Sequence, residues 1–141
     1  MNISQLLDSP ERDWSRAPGA SESELAKLRA KAPATLPVEL LELLRFSNGG
    51  EGPIALPPEC FCMDSVDEIV NGLSDEFLIA AFPGFLFFGG NGGLERIAVD
   101  LRNKNAPWPI VMIDPVAGIV SAKVIAPDAA TFVEAIGLEH E

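Results

Sequence analysis

Residues 85–126, FLFFGGNGGLERIAVDLRNKNAPWPIVMIDPVAGIVSAKVIA, decide the fold class. Short β-prone runs alternate there with turn chemistry: Phe85-Leu86-Phe87-Phe88, then Gly89-Gly90-Asn91-Gly92-Gly93, then residues 94–101. Aromatic and β-branched residues suit a pleated, half-buried surface, and Asn and Gly accept the positive φ of tight hairpin turns. Residues 108–114 and 119–126 add two more strands, joined through Pro115-Val116-Ala117-Gly118. Four sequential strands with short links predict an antiparallel meander.

Upstream, the texture is helical. Ser21-Glu22-Ser23-Glu24 has the spacing of a capping box ahead of Leu25 and Leu28, which predicts a helix ending before Pro33. Leu36-Pro37 opens the next, where Leu40, Leu41, Leu43 and Leu44 form an apolar stripe opposite Glu39, Glu42 and Arg45. Asn48-Gly49-Gly50 reads as its C-terminal cap. After a loop with Pro53, Pro57 and Pro58, Ser65-Val66-Asp67-Glu68 repeats the capping-box spacing and predicts a short helix reaching Asn71-Gly72. Residues 77–82 are apolar throughout, and periodicity leaves them open between helix and strand. Downstream of the meander, Pro127-Asp128 caps a last helix carrying Phe132, Val133 and Ile136.

Helices, then strands, then one helix predict an α+β domain: a mainly antiparallel sheet of four or more strands with helices packed against it. Residues 21–141 make up that single domain, and residues 1–20, with Pro10, Pro18 and Gly19, read as an N-terminal arm. Leu40, Leu43, Leu44, Phe85, Phe87, Ile97, Val99, Val111, Ile113 and Phe132 are expected in one core.

The residues carry no catalytic signature. The single histidine, His140, sits at the end of the chain, which speaks against Ser-His or Cys-His catalysis. Cys60 and Cys62 flank Phe61 and share a face if the stretch is extended; two thiols with that histidine fall short of the four ligands a zinc site wants. No metal and no cofactor are expected, and the thiols read as reduced in a cytoplasmic protein. The glycine run lacks a following Lys-Ser or Lys-Thr and lies between strands, so it reads as a hairpin turn instead of a phosphate cradle. The apolar run at residues 77–90 is interrupted by Pro83-Gly84 and falls short of the ~20 residues of a membrane helix, so no membrane association is expected.

Net charge is −11, which opposes binding to phosphate backbones and excludes nucleic acid as the expected partner. The distribution is one-sided. Between Arg45 and Arg96 lie eight acids and neither Lys nor Arg. This block is either a solvated face or a docking surface for a basic protein. In the second case the candidate partner-binding residues are Glu51, Glu59, Asp64, Asp67, Glu68 and Glu95, with Glu51 singled out because it follows Asn48-Gly49-Gly50.

In their order, these pieces resemble the SUKH superfamily, which includes a fungal cell-wall assembly regulator and many bacterial immunity proteins. Leu36-Pro37, the helix after it and Asn48-Gly49-Gly50 resemble the family's first motif. Phe82-Pro83-Gly84-Phe85-Leu86, the Gly-Asn-Gly-Gly turn and Ile97-Ala98-Val99-Asp100-Leu101 resemble its central motif, and Pro109-Ile110-Val111-Met112-Ile113-Asp114 the strand that follows. Where many relatives place an acidic or small residue after the glycine turn, this chain has Leu94-Glu95. The resemblance implies an α+β sheet, no enzymatic activity, and a protein partner: a toxin domain neutralised by an immunity protein, or alternatively the partners of a regulatory scaffold without a toxin.

Overall fold

The computed structural model describes residues 2–32 and 35–139; Pro33, where the first helix is expected to end, and His140 lie outside them. Six strands among the described residues form one antiparallel sheet whose spatial order follows the chain: β1 (Glu51–Pro53), β2 (Cys60–Met63), β3 (Phe85–Gly90), β4 (Arg96–Asp100), β5 (Ile110–Ile113) and β6 (Lys123–Ala126). Six α-helices among the described residues accompany it: α1 (Ile3–Leu7), α2 (Glu22–Lys31), α3 (Val38–Phe46), α4 (Val66–Leu73), α5 (Glu76–Ala81) and α6 (Ala129–Ala135). This is the α+β architecture expected, with the meander in the C-terminal half.

The strands depart from expectation in two ways. Residues 51–53 and 60–63 form a hairpin that adds β1 and β2 to the meander, with Glu51 opposite Cys62 and Pro53 opposite Cys60. Their prolines and shortness hide them, because Pro53 is tolerated where a strand ends at a sheet margin and four residues show no period. The last strand is shorter than expected. Residues 119–121 turn into a 3₁₀ helix, where the Ser121 hydroxyl accepts from the Asp114 amide (2.9 Å) and donates to the Gly118 carbonyl (2.7 Å), so pairing starts only at Lys123.

Residues 76–81 are helical, since the Asp75 carboxylate caps the Leu78 amide at 3.1 Å. α4 runs to Leu73, past Asn71-Gly72, and is opened by the Ser65–Glu68 capping box. α2 carries the same device at Ser21–Glu24, and α6 starts at Asp128.

Strand alternation divides the apolar residues between two faces, so the expected single core is two. On one face Leu86, Phe88, Ile97, Val99 and Ile110 meet Leu40, Leu43, Leu44 and Phe132. Phe61, Phe88 and Phe132 form an edge-to-face triad with centroids 5.0–5.8 Å apart. On the other face Phe85, Ala98, Val111 and Ile113 meet Phe82, with Phe87, Leu78 and Ile119 against them. A fully buried Leu or Phe contributes about 1.5–3 kcal/mol by leaving water, so the first face dominates stability.

Residues 3–20 lie along this body. Ile3 and Leu7 of α1 are buried in the larger core, and the Trp14 ring stacks at 5.7 Å on Phe61. Ser15 bridges to Glu51 on the outer side of β1, and Arg12 donates to the carbonyls of Glu134 and Ile136 at 2.8 and 2.7 Å. Gly50 and Gly52 admit this segment: a β-carbon on Gly52 would stand 2.5 Å from the Asp13 carbonyl, and one on Gly50 2.7 Å from that of Ser15.

Candidate functional site

Paired residues in an antiparallel sheet share a face, so one row can be followed across four strands: Glu51 opposite Cys62, Cys62 opposite Gly90, Gly90 opposite Arg96. Asp64 follows β2 at this end and puts its carboxylate 2.6 Å from Arg96 Nη2. Glu95 precedes Arg96 in the β3–β4 turn, where its carbonyl accepts from the Asn91 amide at 3.1 Å. α4 starts here too, bringing Asp67 and Glu68. Five of the six acids marked in the sequence therefore gather at one end of the sheet. Glu59 does not: it lies at the other end of β2, with φ +73°, its carbonyl accepting from the Ile54 amide.

These carboxylates differ in what already holds them. Glu68 is committed to α4, accepting from the Ser65 amide at 3.1 Å. Asp64 is mostly buried and tied to Arg96; burial pushes its carboxyl above the ordinary value of 3.8, against the pull of Arg96. Asp67 lies 3.7 Å from Lys27, and both side chains are exposed, so screening leaves that pair little strength. Glu51 is exposed, with the Cys62 thiol 3.7 Å from its carboxylate. Glu51 and Glu95 make no ion pair among the described residues, and they are the side chains there with charge to spare.

Asn48 organises the neighbourhood. The sequence presents it as part of a plain cap, and Gly49 and Gly50 do take positive φ (110° and 105°). Its side chain does more: the Oδ1 accepts from the Val66 amide at 2.7 Å, capping α4 from outside, and its Nδ2 donates to Glu24 at 3.3 Å. Next to it, Ser47 is fully buried and satisfied, its hydroxyl accepting from Trp14 Nε1 (3.2 Å) and the Ala17 amide (3.0 Å) and donating to the Gly49 carbonyl (2.7 Å). Sequence reading missed Ser47, Arg96 and Glu24 here. The Glu24 capping box was the one available signal, and it announced a helix start only.

The glycine turn behaves as hairpin chemistry. Gly92 has φ +80°, and the Asn91 side chain accepts from the Gly93 amide at 2.8 Å. Gly89 and Gly90 lie within β3; a β-carbon on Gly89 would stand 2.6 Å from the Cys62 carbonyl. Cys60 and Cys62 are free thiols, and burial first, then Cys60 and Glu51, push Cys62 up to about 11, so it stays protonated at neutral pH. Among the described residues no group of three or more His, Cys, Asp or Glu could hold a metal ion, and no helix is long and apolar enough to cross a membrane. What this end of the sheet offers is five carboxylates, of which Asp64 and Asp67 face the cations Arg96 and Lys27.

The model of the SMI1 / KNR4 family (SUKH-1) matches residues 19–135. No curated protein matches the chain.

Proposed function

The chain belongs to the SMI1 / KNR4 family (SUKH-1), and from that premise we propose that it is a non-catalytic protein-binding domain, an immunity protein that neutralises a bacterial toxin in the cytoplasm. Its partner is a toxin domain with a basic surface, received by the acidic end of the sheet. The observation that supports this reading is the convergence of Glu51, Glu95 and Asp67 beside α4 and the glycine turn, in a chain of net charge −11. Acids on a rigid rim steer a basic partner and set its association rate more than its final affinity. Asp64 and Glu68 shape this field while holding Arg96 and the α4 cap.

Two measurements test the proposal. Co-expression with a toxin found encoded beside this gene should protect cells and yield a complex by pull-down; survival without a complex, killing despite expression, or the absence of any toxin gene there overturns the immunity reading in favour of a scaffold. Given a complex, the double variant Glu51→Lys and Glu95→Lys should slow association about tenfold at low salt and flatten its dependence on ionic strength. Association rates unchanged across a salt series would move the interface away from this end. Glu68 is left alone in that design because it caps α4.

A further inference from the structure

Among the described α-helices, α5 alone buries none of its residues. It reads EFLIAA, and Phe77 and Ile79 remain 61% and 54% exposed. Beside it runs a cleft of about 330 Å³ between α4, α5 and β3, lined by Ile69, Leu73, Leu78, Ile79, Phe82 and Phe87. A helix apolar on every side is found where something covers it. The charges around it have a pattern. Lys31 is the single charged side chain of the lining and makes no ion pair among the described residues, and α5 opens with the exposed, equally unpaired Glu76.

We propose that this patch is a self-association surface, on which Phe77 of one copy enters the cleft of a second copy while Glu76 of each meets Lys31 of the other. An interface around a two-fold axis must carry both halves of every contact on one surface, and here a protruding aromatic, a recess, an anion and a cation stand together. A small-molecule ligand fits less well, because such sites aim several polar groups at their occupant and this lining supplies one ammonium. A six-residue helix and one cleft make a small contact beside the about 800 Å² per partner of a standard interface, so the dimer is weak and concentration-dependent.

Sedimentation equilibrium from about 1 to about 500 μM covers the relevant range. The wild-type chain should pass from monomer to dimer within it. Phe77→Glu, a change at an exposed site that leaves thermal unfolding intact, should raise the dimer dissociation constant at least tenfold. Lys31→Glu and Glu76→Lys should each weaken the dimer, and the two together should restore it. A chain monomeric at the highest concentration overturns the proposal. So does a dimer that survives Phe77→Glu, or a double reversal that fails to recover what the single reversals lose.

Discussion

Ser47 sits among aliphatic and aromatic neighbours with all its hydrogen-bonding capacity used, and replacing it shows what the frame depends on. Ser47→Ala should cost about 1–3 kcal/mol, because the Trp14 indole and the Ala17 amide would be left without their acceptor. Denaturant unfolding measures this, and an unchanged midpoint would mean that water or another acceptor replaces the hydroxyl. The residue was invisible in the sequence for a physical reason: two of its three partners, Trp14 and Ala17, stand 33 and 30 positions away, and a serine after a helix looks like any other. Asn48 was half legible. Its place beside two glycines announced a helix end, whereas the bond from the Val66 amide exists only once α4 has been folded back against it. Leu44 was fully legible, since it lies on the stripe that the period of α3 predicts and is completely buried.

Among the elements, those written in local chemistry were read correctly. Both capping boxes close over three residues, so Ser21–Glu24 and Ser65–Glu68 could be recognised without knowledge of the fold. Ser65→Ala should therefore cost about 1 kcal/mol through the start of α4. Length and sheet face were not local. β1 is flanked by residues distant in sequence, through the bridges Ser15–Glu51 and Ile54–Ile136, and the two-sided core follows from the alternation along β3. The caps also set a pH response. Glu24 and Asp128 are held below their ordinary values of 4.5 and 3.8 by the amides of Ser21 and Thr131, so each favours the folded chain above its unfolded value and loses that effect as pH falls through its folded one. Asp64, raised by burial, runs the other way: its contribution is greatest in acid and fades as pH rises through the carboxylate range. Glu24→Gln should thus be less stable than wild type near neutrality, with the gap closing as pH falls from neutrality through and below the ordinary 4.5. A gap constant across that window would show that the carboxylate's charge plays no part in the cap.

At the scale of the whole molecule, the one-sided run of acids seen in the sequence is partly offset in space, since Arg96 returns to Asp64 and Lys27 approaches Asp67 from α2. Gathering Glu51 with Glu95 required the register of four strands, which no window of sequence contains. The sheet's two margins also differ. β6 ends the meander bearing Lys123 and followed by Pro127, residues that discourage a neighbouring strand. β1 is short and carries Pro53, devices of the same kind, and it is covered besides: Ser15 pairs with Glu51, the Gly137 amide donates to the Pro53 carbonyl, and Trp14 lies over Phe61. A chain begun at residue 21 would lose the Ser15–Glu51 pairing and the Trp14 cover of Phe61, and should aggregate sooner: light scattering should climb during mild heating before that of the intact chain, while added Glu-rich flanks would slow it. On that outcome residues 3–20 would serve as a built-in guard against edge-to-edge stickiness, keeping the molecule dispersed.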